Sequence, residues 1–197
     1  MTVSLWPKIS SEIVDLLCRR FKKRRFHHVL GTLHTAMGLA DCHGVSSEKA
    51  AWAALLHDIW KIRDPEAERI QAEELGETIP KMDAPHPGLW HAWAAAGEAR
   101  KTYGIEDLEI LEAIRFHSTG CAGMGDICKI MVCTDYLEPT RGLNGRQEIL
   151  DLARRDLDAA CAAVLRSKIA HMEGREKEIH PRALAALESL TPSEKEK

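Results

Sequence analysis

Apolar residues recur along this chain at intervals of three and four, and alternating runs are nearly absent, so the pattern predicts helices throughout. Ile9, Ile13, Leu16 and Leu17 mark a first amphipathic helix that ends in the basic run Lys22-Lys23-Arg24-Arg25. Val29, Leu33, Ala36, Met37 and Ala40 mark a second, stopped near Gly44. Ser46-Ser47-Glu48 offers an N-cap for a third, running from Ala50 to about Lys61. A polar helix is expected over Pro65–Leu75, followed by a loop over Thr78–Gly88, where three prolines stand close together. Further helices are expected at Leu89–Tyr103, Ile105–Phe116, Asp126–Leu137, Gln147–Met172 and Arg182–Leu190. Glycines at 120, 123 and 125, and the segment Glu138–Gly142, interrupt the series. Neither a repeat nor a composition shift divides the chain. The expected architecture is one all-α domain, a helical bundle over residues 25–190, with an N-terminal helix within residues 1–24 packing on it and a frayed charged tail at 191–197.

Composition narrows the class. The longest stretches without Asp, Glu, Lys or Arg are Phe26–Ala40 and Ala84–Gly97. Both are shorter than the roughly 18 apolar residues of a membrane span, and no apolar segment follows a basic start, so a cytoplasmic protein with no membrane partner is expected. Six cysteines without a C-x-x-C pair read as reduced thiols and argue against a zinc finger or zinc deaminase. A net charge of −3 gives no support for a broad nucleic-acid-binding face. An anionic ligand would need cations concentrated locally, or metal. Ten histidines are the one excess.

Asp58 demands explanation first. It stands in the apolar stretch Ala50-Ala-Trp-Ala-Ala-Leu-Leu-His-Asp-Ile-Trp60, where a buried carboxylate is costly unless paired, hydrogen-bonded or bound to a cation. Its neighbour His57 is a candidate metal ligand, and Lys61 is expected one turn later on the same helical face. A buried His–Asp pair or a distant arginine would satisfy Asp58 equally well. Asp135 repeats the anomaly, continuing the stripe of Ile127 and Met131. His117 extends the Ile110–Ile114 face, His91 lies in a small-residue helix, and His28 begins the second helix. Each histidine alone reads as a core or surface residue. Together, His28, His57, His91, His117, Asp58 and Asp135 are a sufficient donor set for two divalent metals sharing one bridging carboxylate.

Four ordered blocks carry a resemblance: Arg25-Phe-His-His28-Val-Leu-Gly31, Leu55-Leu-His-Asp-Ile-Trp-Lys61, Ala113-Ile-Arg-Phe-His-Ser-Thr-Gly120 and Thr134-Asp-Tyr-Leu-Glu-Pro-Thr-Arg141. They follow the H…HD…D order of the HD-domain metal-dependent phosphohydrolases and are similar to the YqeK-type symmetrical bis(5′-nucleosyl)-tetraphosphatases, from about Arg25 to His180-Pro181. The resemblance implies an HD-domain helical bundle that cleaves diadenosine tetraphosphate into two ADP, with iron as the expected metal and manganese as an alternative. It implies one metal held by His28, His57, Asp58 and Asp135, and a second by His91 and His117, with Asp58 bridging. It implies phosphate contacts from Arg25, Lys61, Arg141, Ser118 and Thr119, with Lys61 and Arg25 also stabilising transition-state charge and a bridging water as nucleophile. Arg115 is explained equally well by a salt bridge. Trp60 stands where a small residue is usual and Cys121 where a basic one is common, so both bear on substrate fit.

No P-loop, Gly-x-Ser-x-Gly elbow or Nudix-like Glu run competes with this reading. Three functions stay open: the dinucleoside tetraphosphate hydrolase; the same centre acting on a nucleoside monophosphate, deoxynucleotide or other polyphosphate; and a nucleotide sensor with little turnover. A homodimer is a candidate assembly.

Overall fold

The computed structural model describes residues 6–142 and 144–191, with the backbone alone for residues 6–10, so the tail expected at 192–197 and the side chain of Ile9 lie outside the described residues. Among the described residues there are ten α-helices and no strand: α1 Trp6–Arg20, α2 Lys23–His43, α3 Ser47–Leu56, α4 Pro65–Glu74, α5 Trp90–Tyr103, α6 Leu108–Phe116, α7 Asp126–Leu137, α8 Arg146–Ala153, α9 Leu157–Glu173 and α10 Pro181–Leu190. Short 3-10 turns occupy Pro87–Leu89 and Pro139–Arg141. No helix is long and apolar enough to cross a membrane.

The starts of α3, α4, α6 and α9 are fixed by side-chain caps: Ser46, Asp64, Asp107 and Asp156 each accept a first-turn backbone N–H. Gly44 and Gly104 end α2 and α5 in the left-handed conformation. At the centre α2 packs on α3 and α7, while α6 packs on α3, α5 and α7; α9 closes the bundle against α7 with α8 and α10 beside it. The interior is filled by Leu39, Leu55, Leu56, Ile59, Leu111, Ile114, Ile130, Met131 and Leu165, each fully buried and each stabilising the fold by about 1.5–3 kcal/mol. Alanines 50, 51, 53 and 54 of α3 and 92, 94, 95 and 96 of α5 are also fully buried. Their small side chains let neighbouring helices approach closely, which brings polar groups on separate helices to one point.

Several elements differ from the pattern-based expectation. The basic run does not close the first helix; α1 ends at Arg20, and Lys23, Arg24 and Arg25 open α2 instead. Helix α3 stops at Leu56, short of Lys61, because the His57 imidazole takes the Ala54 carbonyl and the chain tightens into turns from Ile59 to Leu56 and from Lys61 to Asp58. The helix expected over Gln147–Met172 is two, since Asp156 caps a fresh start at Leu157. The sixth helix begins at Leu108, after Asp107, rather than at Ile105.

Candidate metal centre

Five segments deliver the six expected donors to one buried point. His28 comes from the second turn of α2, His91 from the first turn of α5, and Asp135 from the last turn of α7. His57 and His117 share a local device: each follows the last residue of its helix, α3 or α6, and donates through Nδ1 to the carbonyl three residues back, Ala54 or Ile114, at 2.8 Å. That bond fixes the tautomer and leaves Nε2 with its lone pair facing inward. Asp58 follows His57 in the same turn and is fully buried.

The two oxygens of Asp58 face different partners. Oδ2 lies 3.5 Å from His28 Nε2 and 3.4 Å from His57 Nε2, and His28 Nε2 is also 3.3 Å from Asp135 Oδ1. Oδ1 lies 3.2 Å from His91 Nε2 and 3.7 Å from His117 Nε2, and those two nitrogens are 3.4 Å apart. Asp58 Oδ1 is buried and makes no hydrogen bond among the described residues. Burial, with Lys61 adding to it at His91 and His57 adding to it at His117, keeps both rings below the ordinary histidine range and therefore neutral. A buried carboxylate oxygen and two neutral imidazole nitrogens thus converge, and His91 Nδ1 is also without a hydrogen bond among the described residues, an unsatisfied arrangement that a cation would resolve. The residues present fit a metal at each end of Asp58.

Burial would raise the Asp58 and Asp135 pKa values, yet both are held well below the usual carboxylate range: Asp58 by Lys61, His57 and His28, Asp135 by His28, Lys168 and Arg141. His28 is pushed up to about 9, because its bonds to Asp135 and Asp58 outweigh its burial. Arg25 pairs with Asp58 Oδ2, Lys61 Nζ lies 3.5 Å from Oδ1, and Arg141 donates to Asp135 Oδ1 at 2.8 Å.

Beside this point opens a cleft of about 520 Å³, lined by Arg20, Lys22, Arg24, Arg25, Lys61, Arg63 and Arg141, with Glu138 its only carboxylate among the described residues. Expected phosphate contacts Arg25, Lys61 and Arg141 line it; Ser118 and Thr119 do not, and the Thr119 hydroxyl donates to its neighbour Gly120's carbonyl. Arg115, as a salt bridge would have it, pairs with Glu77 at 2.7 Å. His180 caps α10 and lies 2.8 Å from buried Asp83.

Four contributors went unread in the sequence. Lys168 of α9 stands 3.6 Å from Asp135 Oδ2 and donates to the carbonyls of His117 and Ser118; its place on the Cys161–Val164–Leu165 stripe is the signal that marks it as inward. Glu138, also buried, accepts from His28 Nδ1 at 3.2 Å and from Thr140, orienting the ring from behind. Arg63 enters the cleft from a backbone with φ 67°, held there by buried Glu68, which accepts from the amides of Ile62 and Arg63. Arg20 stacks over Trp60, 4.2 Å from the ring centroid, and so fills space beside the unusual tryptophan.

A model of the HD domain family matches residues 25–186, which contain all six donors. The chain belongs to the HD domain family. Within that family it is 34% identical over 184 residues to a symmetrical bis(5′-nucleosyl)-tetraphosphatase of Halalkalibacterium halodurans, covering 92% of this chain and 97% of the relative. It is 31% identical to a protein of the same name from Bacillus subtilis, covering 86% and 91% of the two chains. A solved structure, that of a predicted HD superfamily hydrolase involved in NAD metabolism from Clostridium acetobutylicum, superposes with a TM-score of 0.85 at 30% identity, covering 92% of this chain and 96% of the other. The resemblance carried by the four sequence blocks is borne out for family and fold.

Proposed function

We propose that this HD-family hydrolase cleaves dinucleoside tetraphosphates symmetrically, diadenosine tetraphosphate giving two ADP. The observation that carries the proposal is the junction of two features: Asp58, with each oxygen facing a separate pair of imidazoles, and the cation-lined cleft whose Arg25, His28 and Lys61 reach back to that same residue. A nucleoside monophosphate has no use for so many cations. A tetraphosphate chain, with a negative charge on every phosphate, does. The names of the relatives from H. halodurans and B. subtilis support the same substrate and the same point of cleavage.

His28, His57, Asp58 and Asp135 would hold one divalent cation, and His91 and His117 the other, with Asp58 spanning both. When bound, such a pair supplies Lewis acidity to an inner phosphate and makes a water nucleophilic near neutral pH. Arg25 and Lys61, now turned to Asp58, are placed to swing onto phosphate oxygens and to stabilise charge that develops during transfer. Arg141, beside Asp135 and 39% exposed at its side chain, lines the same cleft. Lys168 holds the carbonyls of His117 and Ser118 and so keeps the turn carrying His117 closed over the centre. Arg20, Lys22, Arg24 and Arg63 also line the cleft and would meet the distal phosphates and second nucleoside.

Chromatography of products from manganese- or iron-loaded protein tests this. ADP is expected as the only nucleotide product of diadenosine tetraphosphate. Equimolar ATP and AMP would contradict the point of cleavage; dephosphorylation of AMP or a deoxynucleotide in its place would favour the second substrate class.

A further inference from the structure

Away from the proposed catalytic centre, a second group of metal-ligating side chains gathers where α6, the glycine-bearing turn and α7 meet. Glu112 of α6, Cys121 of the turn and Cys128 at the start of α7 place one carboxylate oxygen and two sulfurs all within 4.8 Å of one another. Cys121 Sγ is 3.8 Å from Glu112 Oε1, and that thiol is the only polar partner of Glu112 among the described residues. In a tetrahedral site with sulfur at about 2.3 Å and oxygen at about 2.0 Å from zinc, adjacent donors stand roughly 3.5 to 3.8 Å apart. The observed separation is close to that without rearrangement. Cys128 is buried, while Glu112 and Cys121 are half-buried, so the donors form an inner wall with one side open to solvent.

We propose that Glu112, Cys121 and Cys128 form a further metal site that takes one zinc-class divalent cation, with solvent completing its coordination. Soft sulfur donors distinguish it from the all-nitrogen-and-oxygen centre at Asp58 and select a different ion. Binding is balanced by the release of both thiol protons to solvent, the metal–sulfur bonds replacing the S–H bonds. The thiols are already unequal: Cys128 donates to Cys121, which draws the Cys121 pKa down and, with burial, pushes that of Cys128 up. Arg182, itself paired with Asp83, adds a smaller push in favour of the Cys121 thiolate. The ion would clasp α6 to α7 across the turn, four residues beyond His117 and on the helix that carries Asp135, and so would brace the elements that deliver two donors to the catalytic centre.

The second thiol pair, Cys133 and Cys161, is an internal control. Its members hydrogen-bond and are fully buried, and among the described residues no carboxylate completes a donor set there. The test is a titration of the full, reduced chain with Co2+, followed by absorption. A thiolate-to-cobalt charge-transfer band in the near ultraviolet can arise only from sulfur ligands, so the Asp58 centre is silent whatever its own occupancy. The band is expected in the wild type, is bleached by Zn2+, is lost in Cys121→Ser, is weakened in Glu112→Gln and persists in Cys133→Ser. Cys121 is half-buried in a turn, so Cys121→Ser avoids the core perturbation that Cys128→Ser risks. Absence of the band in reduced wild type would overturn the proposal, as would its survival in Cys121→Ser. Oxidation of Cys121 and Cys128 to a disulfide in a chain that gives no band would mark a redox pair instead, and also overturn it.

Discussion

A buried carboxylate oxygen with two neutral imidazole nitrogens in front of it, and no hydrogen bond among the described residues, is the most informative atom of this molecule. Asp58 Oδ1 has that environment, while Oδ2 of the same group faces His28, His57 and the cation of Arg25. Both aspartates and all four histidines were legible in the sequence, because a carboxylate interrupting an apolar stripe has few cheap explanations. Glu138 was not, since a residue in a Glu-Pro-Thr break reads as punctuation until the chain folds it behind His28. Gly31 belongs to the same arrangement. A methyl group there would meet Glu138 Oε2 at 2.8 Å and Pro139 Cδ at 3.1 Å, so a glycine mid-helix keeps room for the residue that orients His28. Gly31→Ala should therefore leave the helix intact, displace Glu138 and weaken metal affinity by about 10–100-fold, the usual cost of losing a group that orients a ligand. Isothermal titration of the metal-stripped variant reads this directly; unchanged affinity would separate Glu138 from the centre.

At the scale of elements, the helical periodicity was legible and the boundaries were less so. Pattern alone cannot register competition for a backbone carbonyl, and it is His57 taking the Ala54 oxygen that ends α3 early. The same blindness joined α8 to α9, because a capping aspartate inside an otherwise helical stretch reads as one more polar surface position. Helix α2 shows a conflict with a purpose. Lys23, Arg24 and Arg25 fill its first turn, where the partial positive charge of the helix disfavours cations, and that turn holds no acidic residue. A polyphosphate at that end would satisfy both the helix and the side chains. Arg24→Glu should accordingly stabilise the protein by about 0.3–1 kcal/mol while raising KM for the tetraphosphate. A thermal melt and steady-state kinetics on one preparation check both signs; a variant with unchanged KM would remove Arg24 from the substrate path.

Across the whole molecule, the centre ties stability to pH and metal. In the metal-free protein His28 is protonated up to about pH 9, supported by Asp135 and Asp58 against its burial. Its contribution is complete below the unfolded histidine value of about 6.5 and is lost as pH rises through about 9. Asp58 and Asp135 titrate well below their unfolded values, so their contribution is present above about pH 4 and is lost as pH falls further. Metal-stripped protein should thus lose Tm between about pH 6.5 and 9. Metal-loaded protein should hold or gain Tm over that window, because cations displace the His28 proton and bind better as pH rises. Coincident profiles with and without chelator would contradict this. Lys168 and Arg63 show why whole-molecule features escape a sequence: one is a lysine on an alanine-rich helix far along the chain, the other depends on a strained turn that Glu68 helps to secure.

The number of manganese ions bound per chain, counted by equilibrium dialysis of metal-stripped protein, tests the dinuclear centre most directly. Manganese suits the nitrogen and oxygen donors around Asp58 and disfavours the thiol cluster, so the count reports the proposed catalytic centre alone. Two ions per chain are expected in the wild type, with loss of both metal binding and hydrolysis in Asp58→Ala, circular dichroism on the same preparation establishing that the variant is folded. A wild type that binds none or one, or an Asp58→Ala variant that still binds two and turns over substrate at the wild-type rate, would contradict a shared carboxylate at the heart of this site.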